Sequence, residues 1–249
     1  MAARLKLIVA YDGATFSGWQ SQPNRNGIQD HLEKAFEQIC SQRVRVHGAG
    51  RTDAGVHAIG QCAHVDVPVR RYGADRWRAA LNGILPQAIR VMGCRFVSDS
   101  FHARFSAKGK IYRYRVWNGA VVPPLEIGRA WHVRDPIDCE VVTTAAKFFI
   151  GEHDFASFAA NRRGPVADTV RKLHQVRVKK SGVVVTFQFE GNGFLYKMVR
   201  MMVGALVQAG TGKASPKEIY SRLAHPRRST TAERSVAPAA GLFLLRVRY

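Results

Sequence analysis

One succession of apolar periodicities runs through this chain twice, and it limits the possible folds more than any single motif. Leu5–Ala10 is a short apolar run closed by Asp12-Gly13, the pattern of a buried strand before a turn. In Ile28–Cys40 the residues Ile28, Leu32, Ala35, Phe36 and Ile39 share one helical face, with Gly27 at the N-cap position. Arg43–His47 and His57–Val69 alternate as strands, with Ala63, Val65 and Val67 on one face of the second. Ala74–Leu85 reads as a helix stopped by Pro86, and Ile89–Val97 as a strand. Beyond residue 105 the order returns. Lys108–Trp117 is a strand, Glu140–Ile150 a helix, and Val170–Val178 with Val183–Phe189 a hairpin around Lys180-Ser181-Gly182. Phe194–Ala209 is a long helix ended by Gly210, followed by a short helix Pro216–Ala224 and a closing strand Leu242–Val247. The repeat is one of element order, not of residues. It predicts an α+β fold of two tandem β-α-β-β-α-β units, ferredoxin-like or RRM-like, with antiparallel sheets and helices on one face. The units are residues 1–105 and 106–249, with the active-site cleft expected between them.

Charge narrows the class of partner. The 249 residues carry 38 Lys and Arg against 18 Asp and Glu, a net charge of +20. A polyanion is the natural partner of such a surface, and nucleic acid the first choice. Residues 1–105 hold 14 basic and 8 acidic side chains, whereas residues 106–249 hold 24 and 10. The second unit should therefore grip more phosphate. Arg162-Arg163-Gly164-Pro165 reads as an exposed basic loop, able to reach RNA phosphates or simply to be solvated.

Several chemistries find no signature. Cys40, Cys62, Cys94 and Cys139 make no Cys-x-x-Cys pair, and no histidine pair has helical ligand spacing with a third ligand nearby. A metal site is therefore not expected. Neither a phosphate-binding glycine loop nor a dinucleotide motif is present, so no nucleotide cofactor is expected. The apolar run from Leu5 is broken by Lys6 and too short for a signal or membrane helix, which leads to the expectation of a cytoplasmic protein with reduced thiols.

The segment from Gly48 to Ala58 holds three glycines, Arg51 and Asp53 between two strand-like runs. It suggests a tight loop that presents Asp53 and Arg51 outward, although the same residues could make a turn in which Asp53 bonds its own backbone amides. On the strand Lys108–Trp117, alternation puts Tyr112 and Tyr114 on one face and Arg113 and Arg115 on the other. Aromatics beside cations suit RNA, although on the residues alone a pair of core tyrosines behind a solvated arginine edge is the more ordinary reading. Helix 194–209 is apolar on nearly every side, hence buried, yet carries Lys197 and Arg200 three residues apart. Both could snorkel to the surface. Alternatively Arg200 looks into the cleft and pairs with a carboxylate, for which Asp53 is the obvious candidate.

The wording Gly50-Arg51-Thr52-Asp53-Ala54-Gly55-Val56-His57-Ala58 closely resembles the tRNA pseudouridine synthases of the TruA type. The likeness extends over almost the whole chain: Tyr11-Asp12-Gly13, Ser17-Gly18-Trp19-Gln20, Phe101-His102-Ala103-Arg104-Phe105-Ser106-Ala107, Tyr112-Arg113-Tyr114, Met198-Val199-Arg200 and Gly241-Leu242-Phe243-Leu244 all fit in order. The resemblance implies an isomerase that converts uridines 38, 39 and 40 of the tRNA anticodon arm to pseudouridine. It implies Asp53 as nucleophile, Arg51 as the residue that helps displace the target base, Tyr112 stacked on the flipped uracil, and Arg200 paired with Asp53. It also implies a homodimer and no redox cofactor, nucleotide or metal. Two rivals follow from the same residues: a non-catalytic tRNA- or rRNA-binding protein, and an RNA nuclease using Asp53 and His57.

Overall fold

The computed structural model describes residues 3–68, 72–160, 168–227 and 235–249. The chain falls into two compact units, Met1–Lys108 together with Phe243–Tyr249, and Gly109–Leu242. The sequence assigns residues 106–249 to one unit; the last seven residues instead pack with the first.

The first unit contains β1 (Ala3–Tyr11), α1 (Ile28–Cys40), β2 (Val46–Gly48), β3 (His57–Val67), α2 (Ala74–Ile84) and β4 (Ile89–Val97). β1 is central: it pairs antiparallel with β3, Leu7 opposite Ala63, and with β4, Leu7 opposite Cys94. β2 lies antiparallel on β3. The C-terminal strand Leu242–Arg248 adds in parallel, with Phe243 opposite His57. Alternation sends Leu5, Leu7 and Val9 to one side of β1, where all three are fully buried. Ile28, Leu32 and Phe36 of α1 and Trp77 and Leu81 of α2 are buried too, and the Phe36 and Trp77 rings meet at 5.6 Å. Each helix thus contributes the apolar stripe that its spacing predicts.

β2 begins three residues later than the alternation from Arg43 suggests. Glu33 of α1 is the reason. Its carboxylate accepts the Val46 N–H at 3.0 Å and lies 3.6 Å from Arg45, while Arg43 pairs with Glu37 at 3.1 Å. Residues 43–45 are thus tied to the helix instead of the sheet. The end of the expected strand at Val69 lies outside the described residues.

The second unit contains β5 (Gly109–Trp117), β6 (Trp131–His132), α3 (Cys139–Ala146), β7 (Gly151–Asp154), β8 (Val170–Ser181), β9 (Val184–Gly191), α4 (Met198–Gly210) and α5 (Pro216–Ala224); the C-terminal strand is β10. Two elements are added to the seven expected, since the short strands β6 and β7 carry too few residues to show a period. The sheet runs β5-β9-β8-β7, all antiparallel, with β6 parallel to β5. Tyr114, Phe187, Phe189, Phe149 and Phe158 are fully buried with Met198, Met202 and Leu206 of α4. Asp138 caps α3 by accepting from the Glu140 and Val141 amides, and Ser215 with Glu218 forms a capping box on α5. The fold is α+β with mostly antiparallel pairing, as the periodicities indicate. The basic segment 162–165 lies outside the described residues.

Helix α4 starts four residues later than expected. Lys197 sits in the left-handed region at φ 60° as its N-cap. Lys197 and Arg200 are therefore not two residues of one helical face.

Candidate active site

The loop between β2 and β3 is held from behind by the chain's own opening segment. Ala49 N–H donates to the Cys62 carbonyl at 2.8 Å, and the buried Gln61 amide donates to the Gly50 carbonyl at 2.9 Å. Trp19 N–H donates to the Thr52 carbonyl at 3.1 Å. The Thr52 hydroxyl, itself buried, meets the Tyr11 phenol at 2.8 Å. Burial pushes the Tyr11 phenol above its usual range, so it stays protonated and keeps its hydrogen for a partner. Gly18, at φ +90°, lets its backbone come close enough that a β-carbon would stand 2.5 Å from the Thr52 carbonyl oxygen.

Asp53 follows immediately. The Val56 N–H donates to the Asp53 carbonyl at 3.2 Å, and Gly55 sits between them at φ +77°. A turn of this kind needs positive φ at its third residue, which explains the glycine. Val56 and Thr52 are buried on either side, Asp53 is half-buried, and Arg51 is exposed. Arg51 meets no carboxylate among the described residues. A carboxylate and a guanidinium two residues apart are thus presented from a backbone anchored at Ala49, Gly50, Thr52 and Val56. The sequence pointed to Asp53 and Arg51; the roles of Tyr11, Trp19, Thr52 and Gln61 in holding them depend on contacts across 11 to 41 residues of chain, which no local pattern carries.

His57 is no partner for nuclease chemistry. Its ring is 3% exposed and stacks on Phe243 at 4.6 Å. Its Nδ1 lies 3.1 Å from both the Gly13 nitrogen and an Asp12 carboxylate oxygen, so it faces protein in either protonation state.

The other two predicted site residues belong to the second unit. Tyr112, on β5, is 8% exposed, with Phe194 edge-on at 5.0 Å. Tyr114 is fully buried, and its hydroxyl donates to the Pro238 carbonyl at 2.7 Å. Arg113 and Arg115 are half-exposed, as the alternation predicts, and Arg115 pairs with Glu126 at 2.8 Å. Arg200, half-buried in α4, donates from Nε to the Ala237 carbonyl at 2.7 Å, and its own carbonyl accepts the Ala237 N–H at 3.1 Å. This double contact fixes the guanidinium against the Ala237 backbone.

Among the described residues no group of three or more His, Cys, Asp or Glu could hold a metal ion, and no helix is long and apolar enough to cross a membrane.

A family model described as tRNA pseudouridine synthase matches residues 7–106 and 145–249. The tRNA pseudouridine synthase A of Akkermansia muciniphila is 42% identical over 99% of this chain and 95% of its own length. Those of Rhodopseudomonas palustris and Bacillus licheniformis are each 42% identical over 99% of both chains. Among solved structures, a chain of a Cbf5-Nop10-Gar1 complex aligns over 96% of this chain and 56% of its own, with 12% identity and a TM-score of 0.32, a likeness too weak to argue from. The anchored glycine loop bearing Asp53 lies inside the first matched segment and Arg200 inside the second, and the chain belongs to the tRNA pseudouridine synthase family.

Proposed function

We propose that this enzyme isomerises uridine to pseudouridine at positions 38, 39 and 40 of the tRNA anticodon arm, with Asp53 as nucleophile. The reaction breaks the N-glycosidic bond, turns the detached uracil and rejoins it through carbon. Product and substrate are isomers, so no oxidant, reductant or second substrate enters the balance. The observation that carries the reading is the setting of Asp53. A single carboxylate on a basic chain would repel phosphate, and binding alone would not select it; here it stands on a loop whose neighbours are pinned by four hydrogen bonds. Preorganisation of that kind serves a reacting group.

The remaining roles follow from chemistry. Arg51, exposed beside Asp53, suits the displacement of a base that must leave its stack before it can react. Tyr112 offers a ring for the flipped uracil, which would share or displace the contact with Phe194. Arg200 would pair with Asp53, because a carboxylate that must stay ionised while substrate excludes water gains from a nearby cation. The enzyme would act as a cytoplasmic homodimer without metal or cofactor.

Incubation with unmodified tRNA tests the reading against both rivals: isomerised uridine, bound intact tRNA or cut tRNA are distinct outcomes. Asp53→Asn should abolish turnover while tRNA still binds, since an amide is nearly isosteric but a far weaker nucleophile, and phosphate contacts carry the affinity. Single-turnover activity above about a hundredth of wild type would sink the assignment.

A further inference from the structure

Phe105 is 77% exposed, and it is not on a loose loop. The segment Phe101–Ser106 is pinned at every step. Ser106 N–H donates to the His102 carbonyl at 2.9 Å, and His102 N–H to the Ser106 hydroxyl at 3.0 Å. His102 Nδ1 faces the Arg104 and Phe105 amides at 3.1 and 3.3 Å. Ala103, fully buried between them, donates its N–H to His64 Nδ1 at 3.1 Å and accepts the Tyr249 hydroxyl at 2.7 Å. A phenyl ring left in water forgoes the burial that drives folding. Here the backbone holds it there in one position.

The ring also ends a run of aromatics. His47 and His64 stack at 5.0 Å, His64 and His102 meet at 4.6 Å, and His102 and Phe105 lie at 4.3 Å with a 32° tilt. The Arg104 guanidinium stands 5.6 Å from the Phe105 centroid. His47 is on β2 just before the glycine-rich loop, so the run starts beside the loop that carries Asp53 and ends in solvent.

We infer that Phe105 and His102 form a stacking platform for an unpaired nucleobase of the RNA substrate, outside the catalytic loop. The chemistry selects a base over a protein partner. Every base has a π-face, stacking on an aromatic ring is sequence-tolerant, and an adjacent arginine adds attraction to the ring and charge for the phosphate. A rigid ring also loses little freedom when a base lands on it. The inference rests on RNA being the substrate, and not on which residue attacks the uridine.

The test compares Phe105→Ala, Phe105→Leu and Phe105→Trp, with full-length unmodified tRNA as ligand and substrate. Loss of one base–aromatic stack should weaken binding about tenfold. Phe105→Ala and Phe105→Leu should both show it, and Phe105→Trp should bind like wild type or better. Binding by Phe105→Ala equal to wild type would overturn the platform. So would Phe105→Leu binding like wild type, since the contact would then be merely apolar. A sedimentation shift in Phe105→Ala alone would overturn it too, by marking the ring as an interface between copies. A wild-type chain that binds tRNA but makes no pseudouridine would overturn the proposed activity while the binding comparison at Phe105 still decides the platform.

Discussion

His64 is buried among His47, His102 and Arg4, with the Asp66 carboxylate also facing it, and these neighbours make it a pH-sensitive element of the fold. Burial first, then the adjacent histidines and Arg4, lower its pKa from 6.5 to about 4. In the folded chain the ring is neutral and its Nδ1 accepts the Ala103 N–H. The unfolded chain takes up a proton near pH 6.5. Between about 6.5 and about 4 the unfolded state therefore binds more protons, so this contribution to stability is complete above about 6.5 and is lost as pH falls towards 4. A shift of that size corresponds to about 3 kcal/mol. Urea unfolding at pH 7 and pH 4.5 should show a smaller acid loss for His64→Gln than for wild type, and equal losses in both would refute the assignment. At this scale the sequence made Asp53 and Arg51 visible through their glycine-framed wording. It could not show that Thr52 is held by Tyr11, 41 residues away, or that Ala103 is held by Tyr249, 146 residues away. Those bonds exist only once distant strands have paired.

Elements are legible in proportion to how much local periodicity they carry, and α4 shows both sides of this. Its apolar circumference announced a buried helix, and eleven of its residues are buried. Its start was not legible, because the residues from Phe194 are as apolar as the helix proper, and only the left-handed Lys197 separates them. Nor does the sequence explain the glycines within α4. A β-carbon on Gly204 would collide with the Ser235 carbonyl, and one on Gly210 with Val142 and Ile137. Helix propensity alone would favour Gly204→Ala by about 1 kcal/mol. Overpacking costs about 1–3 kcal/mol, and here the obstacle is backbone, which cannot swing aside as a side chain can. Gly204→Ala should therefore lower stability by at least about 1 kcal/mol in denaturant unfolding. A variant as stable as wild type would mean that the segment around Ser235 moves freely away from the helix. The strand β2 is legible only in part for a related reason: Arg43 and Arg45 alternate like strand residues, but their partners are Glu37 and Glu33 of α1.

For the whole molecule, net charge is the property most directly readable from composition, and it sets how the enzyme meets its substrate. The charge of +20 is uneven, since residues 106–249 carry 24 basic and 10 acidic side chains. In the second unit, Arg115, Arg171 and Lys213 pair with carboxylates, at 2.8, 3.2 and 2.5 Å, whereas Arg113, Arg177 and Lys179 meet none among the described residues. Register places these three on one sheet face: Arg113 and Arg177 both lie opposite Gln188, and Lys179 lies opposite Thr186, two residues along. Cations so arranged attract polyanions, and each phosphate they neutralise releases condensed counterions. With about six phosphates neutralised, affinity for tRNA should fall about three hundred- to a thousandfold between roughly 50 and 200 mM salt. Reversing one exposed cation, as in Arg177→Glu, should flatten the slope of log affinity against log salt by about one phosphate's worth and leave the single-turnover rate at saturating tRNA unchanged, because the change touches long-range attraction and not the Asp53 loop. Filter binding across a salt series reads both quantities. A wild-type affinity that barely changes with salt would mean that stacking and hydrogen bonds, and not this charge, hold the RNA.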